Sequence, residues 1–243
     1  MTPLISVIHP SRGRSKRALN AYKNAINNAF DSSKIEYILS VEPDMFCDYH
    51  NVFNSSIRNN FIYVSKENKT AIEAINSGAK EAKANILMVL SDDFDDMPLN
   101  WDLMILEAVK DKKFWVLKTF DKTQEWIITM PIMDRAFYNK FGYIYNPAYT
   151  HMFCDTELSS ICDMLDCVIT RNDIVFPHNH YTNGFEKDEI NTKNDLSWKQ
   201  GESMYFKRMK ENFGLNESEI KSGLKHKPHL EWIEIVKHKY LNQ

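Results

Sequence analysis

The chain has 243 residues, 43% of them hydrophobic, enough to bury a sizeable core as one large domain or two fused lobes. A formal charge of -3 and a pI near 6.2 exclude a general electrostatic binder of polyanions, although a local basic groove stays open. The start MTPLISVIHPSRGR lacks the features of a signal peptide, no apolar run approaches the roughly 20 residues of a membrane span, and the cysteines have no CxxC spacing, so a soluble, cytoplasmic protein with reduced thiols is expected.

Leu4 to His9 reads as a buried strand that meets Pro10, Ser11, Arg12, Gly13 and Arg14, a turn rich in donors. Leu19, Tyr22, Ile26 and Ala29 then recur at helical spacing and predict a helix over Ser15 to Phe30. Ile35 to Val41 is the second strand and delivers Glu42 and Asp44 at its end. An irregular aromatic stretch, Phe46 to Phe53, follows it. Phe61 to Val64 is a third strand, and Ile72, Ile75, Ala79 and Ala82 predict a helix from Thr70, with Asn68 and Lys69 at its entry.

The fourth strand is Ile86 to Leu90, and it runs into Asp92, Asp93, Asp95 and Asp96. Carboxylates this close raise one another's pKa unless a cation or donors sit among them, and a hard divalent metal is the simplest resident. In open α/β sheets such strand ends are where ligands bind. Asn100 is placed to cap a helix carrying Leu103, Leu106 and Val109, and Phe114 to Leu117 supplies another strand. The βαβ alternation to this point implies a mostly parallel central sheet flanked by helices.

The period then changes. Trp126 to Met130 reads as a strand, Arg135 to Phe141 as a short helix stopped by Gly142, Tyr143 to Phe153 as a loop, and Asp155 to Leu165 as a helix. Asp173 to Phe176 leads into Pro177, His178, Asn179 and His180. The remainder reads as helices at Leu196 to Phe213, Glu217 to Lys221 and Leu230 to Tyr240.

If the sheet is parallel, the turn after the first strand, Glu42 and the aspartates share one edge. Arg12 and Arg14 suit phosphate oxygens, and Glu42 can accept from a base or a ribose hydroxyl. His178 and His180, two apart on an extended segment, face the same way and are candidates to complete a site begun by Asp93 or Asp95. A zinc site from Cys154, Cys162 and Cys167 has the wrong spacing. Asp155 and Glu157 open a helix, where carboxylates are stabilised by the dipole, and one at a cleft lip is a candidate general base. Asp155, read as the cap, is preferred.

In their order, SVIHPSRGR, a strand-end acid, AIEAINSGAKEAKANILMVLSDDFDD, CDTEL and HNH resemble the inverting glycosyltransferases of the glycosyltransferase-A fold, over about residues 4–180. That family includes chitin and cellulose synthases. The resemblance implies a Rossmann-like α/β domain. Residues 1–118 would form its nucleotide-sugar-binding half, 119–182 its acceptor-binding and catalytic half, and 183–243 a C-terminal helical extension.

The resemblance also implies that Pro10, Ser11, Arg12, Arg14, Glu42, Asn68, Lys69 and Asn76 line the nucleotide pocket, with Asp92 on the ribose or sugar. Asp93, with Asp95 as a second candidate and His178 or His180, would hold Mn2+ or Mg2+, and Asp155 would be the catalytic base. Cys154 stands where the family has Glu, Glu42 replaces the commoner Asp, and the Gln-x-x-Arg-Trp pattern of processive synthases is missing. Transfer of one sugar from a nucleoside diphosphate sugar, UDP being the family's commonest nucleotide, is therefore expected. The acceptor, whether a glycan, a small molecule or a modified nucleic-acid base, is left open. A metal-dependent nucleotidyltransferase or phosphotransferase also needs strand-end carboxylates beside arginines. A non-catalytic nucleotide-sugar binding module would keep Arg12 and Glu42 without needing the aspartates.

Overall fold

A computed structural model describes residues 3–58, 60–94, 96–179 and 196–222, with residues 189 and 192. Seven strands form one sheet in the order β3-β2-β1-β4-β6-β5-β7. They are β1 Ile5–Pro10, β2 Ile35–Val41, β3 Phe61–Ser65, β4 Ile86–Val89, β5 Val116–Phe120, β6 Ile132–Asp134 and β7 Val168–Val175. Strands β1 to β4 are mutually parallel, and β5 and β7 pair in parallel. Only β6 runs antiparallel, between β4 and β5. The mostly parallel α/β sheet is thus as expected, and the carboxyl ends of β1, β2, β4, β5 and β7 open on one edge.

Successive residues of a strand face opposite sides, and each side of this sheet carries its own core. Val7, Leu39, Met88 and Leu117 pack under helices α1 (Ser15–Asn28), α2 (Phe46–Phe53) and α4 (Trp101–Ala108). Ile8, Ile38, Leu87, Val89 and Val116 pack under α3 (Ala71–Glu81), α5 (Arg135–Phe141), α6 (Cys154–Leu165) and α7 (Trp198–Lys210). At Gly78 of α3 a Cβ would lie 2.9 Å from Ile8 Cγ2, so glycine sets how closely this helix lies on the sheet. Gly142 ends α5 in the left-handed region at φ 73°, as its place in the sequence predicts.

Four expectations need correction. Phe46–Phe53 is a helix, because Tyr49 and Phe53, four apart, both bury completely against the sheet. Trp126 to Met130 is a loop: Gln124 Oε1 accepts from the N–H groups of Trp126 and Ile127, and Ser159 Oγ from that of Ile128, so side chains replace a strand ladder. Asn100 occupies the position before α4 but is left-handed (φ 60°) and makes no side-chain cap. The helix buries Trp101 and Ile105 in place of the Leu103 and Leu106 face. Asp155 is not a cap either, for that position belongs to Phe153. The helix expected at Leu230 to Tyr240 and most of the 183–243 extension lie outside the described residues. Among the described residues no helix is long and apolar enough to cross a membrane.

Candidate functional site

The site grows from two turns at the carboxyl edge. After β1 the chain bends through Pro10 and Ser11 into α1, and Ser11 N–H donates to the Ser40 carbonyl at the end of β2 (3.0 Å), which pins the turn to the sheet. After β4 the run of apolar residues stops at Leu90, and Asp92 and Asp93 follow, 4% and 9% exposed. Burying two adjacent carboxylates requires compensation, and the β1 side supplies it.

Asp92 Oδ1 accepts from Ser11 Oγ at 2.8 Å and meets His9 Nε2 at 2.9 Å. His9 Nδ1 lies 2.5 Å from the Tyr37 hydroxyl. Ser11 Oγ is itself 2.7 Å from the Tyr49 hydroxyl, which accepts from the Arg14 N–H at 3.1 Å. One oxygen of Asp92 is therefore saturated from below, while Oδ2 faces the Arg14 guanidinium at 3.9 Å. The same nitrogen of Arg14 lies 3.7 Å from Asp93 Oδ2, and Arg17 Nη2 is 2.5 Å from Asp93 Oδ1. Burial raises the Asp93 pKa above the ordinary carboxylate value, against the opposing pull of Arg14, Arg17 and His178.

His178 arrives from the far side of the sheet. Beyond β7 its N–H donates to the Asp121 carbonyl (3.0 Å) and the N–H of Asn179 to the Asp93 carbonyl (2.8 Å), so this segment is laid across the ends of β5 and β4. The His178 ring stacks on Phe94 with centroids 4.4 Å apart, and burial lowers its pKa while Asp121 and Asp93 pull it up. Asp95 and His180 lie outside the described residues.

The other expected positions differ in character. Arg12 pairs with Glu42 at 3.0 Å at the rim, with nearly half of the arginine side chain exposed. Asn68 is buried, accepts from Ser77 Oγ at 3.0 Å, and keeps a buried amide nitrogen that has no partner among the described residues. Lys69 is exposed, and its N–H donates to Glu73. Asn76 is committed to structure: its amide donates to the Tyr145 carbonyl (2.7 Å) and accepts from the N–H groups of Ile144 and Tyr145. It holds the loop that leads to α6.

Asp155 lies in the first turn of α6, half-buried, and accepts from the Thr156 N–H at 2.8 Å. Glu157 beside it is 1% exposed and saturated by Asn146, the Tyr149 hydroxyl and Arg208 Nε, at 2.9, 2.7 and 2.6 Å. That makes Glu157 the anchor joining α6 to α7. The loop 121–131 reaches from the His178 segment to α6. Asp121 accepts from Thr129 Oγ1 at 2.7 Å near His178, while Ser159 Oγ ties Ile128 to the Asp155 carbonyl.

Sequence reasoning missed His9, Arg17, Tyr49 and Asp121. Only His9 carried a signal, a histidine inside an otherwise apolar buried strand.

The donor set can be tested against a divalent cation. Arg14 Nη1 already stands between Asp92 Oδ2 and Asp93 Oδ2, so the two carboxylates converge on one positive centre. No group of three or more His, Cys, Asp or Glu that could hold a metal is found among the described residues. One or two carboxylates, with substrate phosphates and water, are what Mg2+ characteristically takes, and the pair fits that pattern.

No family model matches the chain, and no curated protein does. Its likeness is to solved structures. The mannosyltransferase PcManGT from Pyrobaculum calidifontis, in complex with GDP-Man and Mn2+, superposes with a TM-score of 0.59 at 10% identity, covering 100% of this chain and 89% of that one. Glucosyl-3-phosphoglycerate synthase from Mycobacterium tuberculosis, in complex with Mn2+, UDP and glucosyl-3-phosphoglycerate, gives 0.59 at 12%, covering 85% and 80%. S. aureus TarS 1-349 in complex with UDP gives 0.57 at 11%, covering 71% of this chain. The chain spans 36% of the longer TarS chain and 59% of TarS 1-349. The synthase of 4-diphosphocytidyl-2C-methyl-D-erythritol from Anaerococcus prevotii also shares the architecture, at 0.51 and 14%, covering 70% and 87%. The fold is that of the glycosyltransferase-A class. At these identities the likeness establishes architecture.

Proposed function

We propose that this chain moves one sugar from a nucleoside diphosphate sugar, a UDP-sugar first among the candidates, to an acceptor hydroxyl with inversion and with a divalent cation. The observation that carries the reading is the Asp92–Asp93 pair at the end of β4, both buried and both facing Arg14 from the turn after β1. A buried pair of carboxylates against a guanidinium suits a ligand that brings both hydroxyls and phosphates.

On this reading Arg12 and Arg14 bind the diphosphate, and Glu42 and the amide nitrogen of Asn68, which has no partner among the described residues, address the base. Asp92, held through Oδ1 by His9 and Ser11, offers Oδ2 to a ribose or sugar hydroxyl. Asp93 would hold the cation, with His178 next to it and Asp95 and His180 as further candidates. When bound, the cation neutralises the departing diphosphate, an electrostatic contribution of the kind that dominates such transfers. Asp155 takes the proton of the acceptor hydroxyl as that oxygen attacks the anomeric carbon from the face opposite the nucleotide. Neighbours holding Mn2+ with UDP or GDP-Man support the choice of ligands.

A thermal-shift panel of UDP, GDP and CDP, each with and without Mn2+, tests the reading. Stabilisation by one nucleoside diphosphate that grows with Mn2+ is expected. If no nucleotide stabilises the protein with Mn2+ present, the proposal fails. The fold is shared with a diphosphocytidyl synthase, so a nucleotidyltransferase is the second reading. Release of pyrophosphate, in place of nucleoside diphosphate, during turnover would favour it.

A further inference from the structure

We propose that Arg17 competes with the divalent cation for Asp93, and so couples cation binding to nucleotide binding. The inference rests on the reading of Asp93 as the metal carboxylate. Arg17 stands in the first turn of α1, where a charged residue ordinarily serves as a solvated helix face. Here its guanidinium instead reaches across to the β4 turn and contacts Asp93 Oδ1 at 2.5 Å, the shortest ion-pair contact at this site among the described residues.

The two arginines are not equivalent. The Arg14 side chain is 12% exposed and its Nη1 lies 3.9 Å from Asp92 Oδ2 and 3.7 Å from Asp93 Oδ2, so it faces both carboxylates. The Arg17 side chain is 40% exposed and bonds a single oxygen, so it has room to leave along the helix surface. A divalent cation coordinated by Asp93 would meet the Arg17 guanidinium at close range, and two positive centres on one largely buried carboxylate repel. Cation and Arg17 therefore exclude one another at Oδ1. Once released, the guanidinium lies beside the turn that Arg12 and Arg14 share, where it matches the oxygens of a diphosphate. A nucleoside diphosphate thus stabilises the released form, and by linkage it raises the affinity for the cation and the cation raises its own.

Mn2+ binding measured by electron paramagnetic resonance of the free ion, with and without UDP, tests this on the whole chain. Arg17→Ala should bind Mn2+ alone about tenfold more tightly than the wild type, within the usual range of coupling between ligands, and UDP should enhance that affinity less. Arg17→Lys, which keeps a charge at the position, should stay near the wild type. Thermal melts confirm that each variant folds. Unchanged or weaker Mn2+ binding by Arg17→Ala, together with loss of binding by Asp93→Asn, would overturn the competition and leave the metal assignment standing. If Asp93→Asn binds Mn2+ as the wild type does, or no variant binds it, the metal assignment and the competition both fall. The nucleotide reading is then judged separately, by UDP binding without metal.

Discussion

His9 and Asp92 meet with Nε2 and Oδ1 2.9 Å apart at the carboxyl edge of the sheet, the histidine fully buried. A carboxylate only accepts, so His9 donates from Nε2 and its Nδ1 is left to accept from the Tyr37 hydroxyl. Tyr37 is suited to donate, because complete burial, with Asp92 nearby, pushes its pKa well above the ordinary phenol value and keeps its proton on. The chain Tyr37–His9–Asp92 therefore has one direction of donation, and it leaves Oδ2 of Asp92 facing Arg14.

His9→Ala removes the middle of that chain and leaves Asp92 and Tyr37 buried without it. A loss of about 2–4 kcal/mol in stability is expected, from the cavity and the two unmet polar groups together. Nucleotide affinity should fall as well, since Asp92 loses its orientation. Chemical denaturation and titration with UDP measure the two effects. A variant as stable as the wild type would show that the chain does not position Asp92.

Asp93 is held against the interest of stability. Its pKa is raised, with burial the leading cause, so in the window between the ordinary carboxylate value and its raised value the folded state binds more protons than the unfolded state. Its own contribution to stability is therefore complete below the ordinary value and declines as pH rises through the raised one. Asp93→Asn should raise the melting temperature of the ligand-free protein at neutral pH and remove Mn2+ binding, as for a site that trades stability for function. A lower melting temperature for Asp93→Asn would mean that the ion pairs with Arg17 and Arg14 outweigh burial.

Much of this site is legible in the sequence because its parts are local. Ile86–Val89 is a short apolar run, and the carboxylates that follow it announce themselves as a strand end; Ser11 and Arg14 likewise sit in a turn that punctuates β1. What is not legible is pairing across long separations. Arg17 and Asp93 are 76 residues apart, and Ser11 and Tyr49 are 38 apart, so neither contact leaves a mark in local periodicity. The antiparallel insertion of β6 and the loop 121–131 were hidden for a related reason. Gln124 and Ser159 satisfy backbone N–H groups that alternation alone would assign to a strand.

Glu157 illustrates how two carboxylates in one helical turn acquire different tasks. It is the buried one, and it accepts from three partners on two other segments, Arg208 among them. Glu157→Ala would leave the Arg208 guanidinium, Tyr149 and Asn146 without their shared acceptor. A destabilisation of about 3–5 kcal/mol is expected, as for one partner of a buried ion pair. The packing of α7 on α6 should loosen with it, visible as faster amide exchange around Tyr205. Small effects on both would mean that Arg208 finds water or another acceptor.

Asp155 is the carboxylate of that turn which the protein leaves partly exposed. One oxygen is taken by the Thr156 N–H, and the first turn of α6 stabilises the ionised form through the helix dipole. On the proposed reading this side chain takes the acceptor's proton, while Glu157 serves structure. Asp155→Asn preserves shape and the Thr156 contact while removing the proposed base. It should keep UDP and Mn2+ affinity within about twofold and fold normally, yet lower transfer by about 10²–10⁴-fold, the usual contribution of a positioned general base. Donor binding by calorimetry and transfer by release of nucleoside diphosphate separate the two effects. Transfer at the wild-type rate would assign the proton to another group, and lost donor binding would make Asp155 part of the nucleotide pocket.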